Sequence, residues 1–545
     1  MGSTVHCLLF TVYSERRDSI STHATPEPEP PEIRDNGIAQ AAAVLALGNV
    51  ASRVLGLVRE MVKARLFGAS GLLDAFTIAA YVPMGLFELI IGGMVNSSLV
   101  PVFSDYAQKE RREELWGVVS TVLSVAVVVL SLLVILVEIF APRVAWLVGA
   151  YNLETPGLTE TSIQLLRLAA PAVLFLGVSS ILTGALYALK RFTLPAFIGA
   201  AFNGSIVLVA LLRPDQISSL VWGLLLGAIL QITLQLPALR DAQIRWSLNW
   251  QHPALRRIVR LYLPILAGLI INQAAVAISY NLATRTGEGS VAYMVYATTL
   301  YQFPLGLVVT ALSIATLPTL SVQALQSSLF AFKQTLADGV KMALTLILPA
   351  TAGLFALAVP IAALLFERGE FLPQDTQMTA LVLRVYLVGL PFAAVDQMLI
   401  FASYARKDTW RPALVGVISI IVYLIVAVSL LRPLGLLSLM VADAVKHIVH
   451  TLIMLWLLKR HVGGLGGYGL IPGSLKSLLA AGLTGLAAYG AASLSLILLP
   501  GGDLVSRLLV VMAAGAAGLA IYVALAWLLN IREALALPQM LRRRG

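Results

Sequence analysis

From Leu220 to Pro237 the chain reads LVWGLLLGAILQITLQLP, and from Leu504 to Leu529 it reads LVSRLLVVMAAGAAGLAIYVALAWLL. The first run contains no charged residue, and the second contains only Arg507. A helical apolar stretch of about 20 residues matches the thickness of the hydrocarbon core of a bilayer. Strands of a membrane barrel would alternate polar and apolar residues, which these runs do not. Both runs therefore predict transmembrane helices.

Similar apolar runs recur from Ile38 to Asn530. The 545 residues are 59% hydrophobic and 12% charged, whereas soluble domains are about 25% charged. We therefore predict an all-α polytopic membrane protein with roughly fourteen transmembrane helices. The predicted spans lie near residues 38–64, 72–100, 117–140, 162–187, 194–212, 218–238, 258–283, 291–320, 337–365, 378–402, 412–431, 436–458, 475–499 and 504–529.

Basic residues are distributed unevenly between alternate loops, which predicts the orientation in the membrane. One set of loops contains Lys109, Arg111, Arg112, Lys190, Arg191, Arg240, Arg245, Arg256, Arg257, Arg260, Lys333, Arg406, Lys407, Arg411, Lys459 and Arg460. The other set contains mostly single residues, namely Arg143, Arg213, Arg285, Arg368 and Arg432. The basic set is expected to be cytoplasmic, and both chain termini lie on the same side. This orientation accounts for the net charge of +10 without a nucleic-acid partner.

The two ends of the chain differ from the apolar body. Residues 1–36 include a Pro/Glu-rich run and are predicted to form a disordered cytoplasmic tail. Residues 531–545 end in Arg542, Arg543 and Arg544 and are predicted to form a basic cytoplasmic tail. Because Cys7 is the single cysteine, an internal disulfide and a multi-cysteine metal site are excluded.

The sequence contains an internal repeat at an offset of 217 residues. Tyr187-Ala188-Leu189-Lys190, followed by Pro195-Ala196 and Gly199, recurs as Tyr404-Ala405-Arg406-Lys407, Pro412-Ala413 and Gly416. The same offset relates Arg167 to Arg384, Pro101 to Pro318 and Ser104 to Ser321. Apolar residues match by chance in a chain of this composition, but Tyr, Lys and Arg matches at a single offset do not arise in this way. These matches therefore indicate a duplicated segment.

The repeat predicts two pseudo-symmetric six-helix lobes, residues 37–240 and 257–460, followed by two extra helices in residues 475–530. Six spans are an even number, so both lobes insert with the same orientation, as in transporters built from parallel repeats. A substrate site between two such lobes predicts alternating access. Gly92-Gly93 and Pro304 occupy the same stage of each lobe and are candidate hinges.

Charged residues within spans are costly in lipid and therefore indicate function. The densest group comprises Arg53, Arg59, Glu60, Lys63, Arg65 and Asp74. Helical spacing places Arg53, Gly56, Leu57 and Glu60 on one face. Arg53 and Arg59 are candidates for binding an anionic head group, since guanidinium binds phosphate oxygens bidentately. Alternatively, these arginines pair with Glu60 and Asp74, and Arg59 and Asp74 are placed to pair across the intervening turn.

Lys63 and Arg65 are closer to the predicted membrane edge than Arg53. Their long side chains are therefore expected to extend to the surface.

A second polar group lies in the twelfth predicted span. Asp443, Lys446, His447 and His450 share one helical face, and Asp396 lies in the tenth span. Asp443, Lys446 and His447 are candidates for an ion relay, and an internal ion pair is the alternative interpretation. The sequence contains no phosphate-binding loop, nucleophile elbow, HExxH motif or metal-binding carboxylate pattern. No cofactor is predicted, and an enzyme is disfavoured.

The opening of the chain resembles the signature of the MurJ (MviN) lipid II flippases of the multidrug/oligosaccharidyl-lipid/polysaccharide exporter superfamily. The resemblance rests on Ser52-Arg53-Val54-Leu55-Gly56-Leu57-Val58-Arg59-Glu60, Ala64-Arg65-Leu66-Phe67-Gly68-Ala69 and Asp74-Ala75-Phe76. Further matches are Arg191-Phe192, Phe303-Pro304-Leu305-Gly306, Leu317-Pro318-Thr319-Leu320-Ser321, Leu365-Phe366-Glu367-Arg368-Gly369 and Asp408-Thr409. The resemblance covers nearly the whole chain.

This resemblance implies fourteen spans in the cytoplasmic membrane and transport of lipid II, an anionic lipid-linked disaccharide-peptide, for cell wall synthesis. It implies that Arg53 and Arg59 bind substrate and that Asp74, with Glu60, serves the gate. Two positions depart from the family pattern, because Phe87 and Thr299 stand where arginines are usual. These departures weaken the assignment of a pyrophosphate ligand.

Three alternative functions remain open. One is a flippase for another polyprenyl-linked glycan, and a second is a cation-coupled exporter of small cationic molecules, which would depend on Asp396 or Asp443. The third is a non-transporting scaffold for cell-envelope synthesis, which would bind envelope-synthesis proteins without needing the intramembrane arginines. Membrane lipid is an expected partner in every case.

Overall fold

The computed structural model describes residues 35–326, 328–499 and 501–535, and within these ranges the ordered elements are helices. The first half contains α1 (Asp35–Phe67), α2 (Gly71–Phe87), α3 (Val100–Ser104), α4 (Arg112–Leu147), α5 (Leu158–Ala169), α6 (Ala172–Ala188), α7 (Thr193–Ala196), α8 (Ile198–Leu212) and α9 (Ser218–Gln235). The second half contains α10 (Pro253–Ala283), α11 (Ser290–Pro304), α12 (Thr310–Leu325), α13 (Leu329–Ala356), α14 (Ala358–Leu365), α15 (Pro373–Ala405), α16 (Trp410–Leu434) and α17 (Leu437–Val462). Two further helices follow, α18 (Leu470–Leu498) and α19 (Leu504–Leu528).

Irregular helical segments separate several of these elements. Three are π-helical, at Glu88–Gly92, Val95–Leu99 and Leu305–Val309. Four are short 3₁₀ turns, at Lys109–Arg111, Ala150–Asn152, Leu236–Leu239 and Thr284–Thr286. A π-helical turn widens the backbone by one residue and locally weakens the regular hydrogen-bond ladder.

The all-helical membrane architecture predicted from the sequence is confirmed. Eleven helices in the described part of the chain are long and apolar enough to cross a membrane. The predicted first span is occupied by α1, the fifth by the shorter α8, and the eighth by α11 and α12 with the π-helical segment between them. The count of fourteen stays a prediction, and the predicted tails lie outside the described residues except for Asp35 and Asn36, which begin α1, and residues 531–535.

The chain divides into two compact units. Unit 1 comprises the chain up to Val62 together with Ile78–Trp146 and Glu160–Ala274. Its core joins α2, α3, α4, α6 and their π-helical neighbours through buried side chains such as Leu99, Phe103, Trp116 and Leu186. The burial of large apolar side chains in this core stabilises the unit.

Unit 2 comprises Lys63–Thr77, Leu147–Thr159 and the chain from Ala275 onward. Its core includes Phe332 and Leu336 of α13 and Met398 of α15. The two extra helices pair with each other, and α18 also packs against α13. The hydroxyl of Tyr522 in α19 donates to the carbonyl of Thr345 in α13 at 2.5 Å, so both extra helices are anchored within unit 2.

The internal repeat is visible in the backbone. Helices α4 and α13 begin at Arg112 and Leu329, and π-helical segments begin at Glu88 and Leu305, in each case 217 residues apart. The second pair coincides with the candidate hinges near Gly92-Gly93 and Pro304. Pro304 lacks an amide hydrogen and its ring crowds the preceding turn, so the regular hydrogen-bond ladder is interrupted next to the π-helical segment that begins at Leu305. The hinge role stays a prediction.

The loops after α6 and α15 repeat a rarer feature. Lys190 and Lys407 have left-handed backbones, with φ of 57° and 60°. The amide of Lys190 donates to the carbonyl of Tyr187 at 3.0 Å, and the amide of Lys407 donates to that of Tyr404 at 2.8 Å. Residues other than glycine rarely adopt this conformation, so its recurrence at the repeat offset supports the repeat independently of hydropathy.

We expect Lys407→Gly to raise the free energy of unfolding by up to about 1 kcal/mol, because glycine removes the steric cost of a left-handed residue. Arg406→Gly is the matched control. Arg406 has φ of −92°, so glycine there is expected to lower stability by up to about 1 kcal/mol through added backbone entropy. Steric-trap unfolding in bicelles measures both changes, and equal shifts in the two variants would contradict the strain argument.

Candidate functional site

Small residues let α1 approach α7 and α8 closely within unit 1. A Cβ at Gly48 would overlap the carbonyl of Ala196. A Cβ at Gly199 would lie 2.6 Å from Oγ of Ser52. Gly56 lies opposite Asn203, whose Nδ2 would be 3.7 Å from an added Cβ. This packing sets the position of the charged end of α1.

The Arg59 guanidinium forms three hydrogen bonds inside unit 1. Its Nε and Nη2 donate to Oε1 of Glu60 at 3.0 and 2.7 Å, and its Nη1 donates to Oδ1 of Asn203 at 2.9 Å. Asn203 is oriented by donating from Nδ2 to the carbonyls of Ser52 at 3.1 Å and Gly199 at 3.0 Å. The Glu60 side chain is 2% exposed and that of Arg59 is 31% exposed. Arg59 is thus held in a fixed orientation with part of its surface accessible.

The neighbouring cations differ in exposure. Arg53 is exposed, and no hydrogen bond or ion pair to it occurs among the described residues. Arg65 is exposed as expected. The expectation was wrong for Lys63, which is 6% exposed. Its Nζ lies 5.6 Å from the ring centroid of Phe76. This contact stabilises the ammonium group, since an aromatic face attracts a cation that has left water.

The buried carboxylate of Asp74 lies at the beginning of α11, within unit 2. Its Oδ1 accepts a hydrogen bond from the backbone amide of Ala292 at 2.8 Å. Its Oδ2 has no hydrogen-bond partner among the described residues. The first amides of a helix lack intrahelical partners and attract negative charge. Arg59 is engaged by Glu60 and Asn203 rather than by Asp74, the pairing that the sequence had allowed.

The turn between α1 and α2 is clamped from two sides in unit 2. The hydroxyl of Tyr296 in α11 donates to the carbonyl of Gly68 at 3.0 Å. The amide of Glu370 donates to the carbonyl of Arg65 at 3.0 Å. Gly369 has φ of +60°, and a Cβ there would overlap the Arg65 carbonyl. The turn is therefore held by backbone contacts that tolerate little added volume.

Further polar contacts lie around the start of α15, next to this turn. Asp375 accepts from the amide of Leu372 at 2.8 Å, which caps the helix, and from the hydroxyl of Tyr293 at 2.6 Å. Glu367 accepts from Nη2 of Arg507 at 2.7 Å. These contacts join the beginnings of α11, α15 and α19 at one end of unit 2. In the predicted topology this end is extracytoplasmic.

The polar face of α17 contains an ion pair. Asp443 pairs with Lys446, and Nε2 of His447 lies 3.6 Å from Oδ2 of Asp443. Nζ of Lys446 also lies 5.9 Å from the ring centroid of Tyr423. The internal ion pair considered from the sequence is therefore present in the structure. The ion-relay role stays a prediction.

A second pair joins α15 to α17. Nδ1 of His450 contacts Oδ1 of Asp396, and these residues are each 7% exposed. The hydroxyl of Tyr301 is buried nearby without a hydrogen-bond partner among the described residues. Its ring lies 5.8 Å from that of Tyr386, centroid to centroid. The interior of unit 2 therefore contains several polar groups besides the Asp443–Lys446 pair.

The two positions that depart from the family pattern supply no cation. Phe87 packs against the apolar core of unit 1. Oγ1 of Thr299 donates to the carbonyl of Val295 within its own helix at 2.8 Å.

The family model described as lipid II flippase MurJ matches residues 63–512. The chain belongs to the MurJ family. A probable lipid II flippase MurJ of Bdellovibrio bacteriovorus is 31% identical over 455 residues, which cover 81% of this chain and 86% of that protein. The lipid II flippase MurJ of Burkholderia cenocepacia is 30% identical over 67% of this chain and 73% of its own length.

Solved structures show the same fold. A lipid II flippase MurJ in an inward closed conformation superposes with a TM-score of 0.75 at 22% identity, covering 90% of this chain and 100% of that one. An inward-facing multidrug resistance MATE family transporter of the MOP superfamily superposes with a TM-score of 0.64 at 15% identity, covering 76% and 94% of the two chains. The fold expected from the sequence is therefore confirmed.

Several residues that contact the predicted site residues were not predicted from the sequence. Asn203, which orients Arg59, is an isolated amide in an apolar span, and the cost of burying an amide was the available signal. Tyr301 and Tyr293 gave no such signal, because tyrosine is common in membrane helices. The partnership between Asp396 and His450 joins residues 54 positions apart and was not predictable from local spacing.

Proposed function

We propose that this protein is a transporter, rather than an enzyme, that moves lipid II from the inner to the outer leaflet of the cytoplasmic membrane by alternating access. Membership of the MurJ family over residues 63–512 carries the proposal. Lipid II is the named substrate of the curated relatives. The protein would supply the outer face of the membrane with the precursor for peptidoglycan synthesis. Both termini would be cytoplasmic, as the basic loops indicate.

Arg53 and Arg59 would bind the pyrophosphate of the head group. Arg53 is exposed, so its guanidinium is accessible to an incoming anion. Arg59 already donates to a carboxylate, and Glu60 therefore occupies the place that a phosphate oxygen would take. Binding would exchange one anion for another, since guanidinium forms the same paired geometry with both.

Glu60 and Asp74 would serve the gate. Substrate that displaces Glu60 from Arg59 would remove an ion-pair contact from a buried carboxylate, which is unfavourable in a membrane interior. The resulting change in α1 would reach the clamped turn at Phe67-Gly68-Ala69 and the contact of Asp74 with α11. Head-group binding would thus be coupled to opening of the contacts at the end of unit 2 that is predicted to be extracytoplasmic.

The test is complementation of a conditional lipid II flippase mutant, combined with detection of lipid II on the outer leaflet. We expect the wild-type protein to restore growth and exposure, and Arg53→Glu to restore neither, because charge reversal repels phosphate. Arg213→Glu, at an exposed position after α8, is the matched control and should behave as wild type. Normal growth with Arg53→Glu at equal protein level would overturn the role of Arg53.

The absence of arginine at Phe87 and Thr299 favours a second candidate, a flippase for another polyprenyl-linked glycan. A well-expressed wild-type protein that restores neither growth nor lipid II exposure, in a host that accepts other MurJ proteins, would favour this candidate. Binding of envelope-synthesis proteins that persists in Arg53→Glu would instead favour a scaffold.

A further inference from the structure

The interior of unit 2 has an unbalanced charge. Asp443 forms an ion pair with Lys446, so these two residues neutralise each other. Asp396 contacts His450 and no permanently charged residue. With a neutral imidazole, this second pair carries one negative charge on a carboxylate that is 7% exposed. An uncompensated charge is expensive at this depth.

Among the residues that the structure describes, the groups facing these two pairs include no permanent cation besides Lys446. Along α17 they are Asp443, Lys446, His447 and His450, and α15 contributes Asp396 and Tyr386. The other packed helices contribute Tyr301 from α11, Tyr423 from α16 and Tyr280 from α10. Tyrosine hydroxyls are neutral at physiological pH, since their ordinary pKa is about 10. One proton on an imidazole would therefore make the whole group neutral.

Histidine is suited to this task because its ordinary titration falls within the physiological range. Nδ1 of His450 is in direct contact with Oδ1 of Asp396. A proton taken from water by the ring gives an imidazolium whose charge faces the carboxylate. Its release to water restores the neutral ring and the negative pair.

A hydrated path is also indicated. The Tyr301 hydroxyl is buried, has no hydrogen-bond partner among the described residues, and lies within electrostatic reach of both Asp396 and Asp443. Buried hydroxyls are normally satisfied by protein or by ordered water. His447 lies one helical turn from His450 on the same face, and its side chain is 22% exposed.

We propose that the Asp396–His450 pair is a proton-binding site that loads and releases one proton in each transport cycle, with His447 and Tyr301 connecting it to water. The neutral, loaded state would favour closure of unit 2 around the pair, and the unloaded state would favour its hydration. Proton binding is independent of the proposed lipid II substrate, and only the coupling to transport rests on that function.

Proton binding is tested directly by nitrogen NMR of ¹⁵N-histidine-labelled protein in nanodiscs. The chain contains six histidines, so each signal is assignable by single substitution. The signal lost in His450→Gln is expected to interconvert between neutral and protonated forms as the pH is varied, and the balance between these forms is expected to change in Asp396→Asn, which alters the contact with Nδ1. A His450 signal that does not titrate, or that ignores Asp396→Asn, would overturn the site.

Coupling is tested by lipid II flipping in proteoliposomes under imposed pH gradients. For the wild type, a gradient of one pH unit is expected to change the rate by up to about tenfold, and reversing the gradient should reverse the effect. His450→Gln and Asp396→Asn should lose this dependence. His461→Gln should keep it, because His461 lies at the exposed end of α17 and contacts the Leu457 carbonyl instead.

The outcomes separate the two proposals. Gradient dependence that persists in His450→Gln, or is absent from a wild-type protein that flips lipid II, would overturn proton coupling and leave the flippase function intact. A wild-type protein that does not flip lipid II would overturn the proposed function, and the histidine titration would then decide the proton site alone.

Discussion

Replacing Glu60 with leucine is expected to abolish transport and to lower the free energy of unfolding by about 3 kcal/mol, the low end for removing one partner of a buried pair. The low end applies because the Arg59 side chain is 31% exposed and partly regains water. Leucine also removes the acceptor of two hydrogen bonds from Arg59. Arg59 would then be positioned by Asn203 without a charge partner.

Two companion variants separate charge from packing. Glu60→Gln keeps an acceptor oxygen and should cost less stability than Glu60→Leu while still impairing transport, since an amide cannot balance guanidinium. The double variant Arg59→Met with Glu60→Leu removes both charges and should recover most of the lost stability, but no transport. Steric-trap unfolding and lipid II flipping measure the two effects. Wild-type flipping in Glu60→Leu would exclude Glu60 from the gate.

Replacing Gly369 with alanine is expected to lower the free energy of unfolding by about 2–5 kcal/mol, the sum of left-handed strain and overpacking. Gly369 has φ of +60°, and an added Cβ would overlap the carbonyl of Arg65. That carbonyl also accepts from the amide of Glu370 at 3.0 Å. The loop would have to withdraw from the end of α1 and lose this bond.

Gly469→Ala is the matched control for conformational strain alone. Gly469 has a left-handed backbone, with φ of 70° and ψ of 20°, and no other atom lies within 4 Å of an added Cβ, so only the cost of about 1–2 kcal/mol for a left-handed alanine is expected. The difference between the two variants, measured by steric-trap unfolding, reports the close contact with Arg65. Equal losses would show that this contact does not restrict the loop.

Hydrophobic runs and the offset of 217 residues were sufficient to predict the helices and the repeat. Both signals are local or one-dimensional: a span must satisfy its own backbone hydrogen bonds in lipid, and a duplicated segment keeps its own turns. The left-handed backbones of Lys190 and Lys407 are an example of such a duplicated turn. Helix α1 was predicted despite its charges because its apolar residues surround them.

Contacts between residues far apart in the chain could not be predicted from the sequence. Arg59 and Asn203 are 144 positions apart, and Asp74 and Ala292 are 218 apart. The sequence identified Arg59 and Asp74 as costly charges, but several neutralising partners were equally available. It favoured a surface position for Lys63, whereas the structure buries this residue over Phe76.

Hydropathy, the repeat and the charge pattern were enough to predict a helical membrane protein of repeated design with arginines near the end of its first helix. Lipid imposes those features on each segment separately, through hydropathy, length and charge. The contacts of Arg59 with Glu60 and Asn203, of Asp74 with the first amides of α11, and of Asp396 with His450 were visible only in the folded chain. Such contacts depend on which helix faces pack together, and that choice is made by the shapes of many side chains at once.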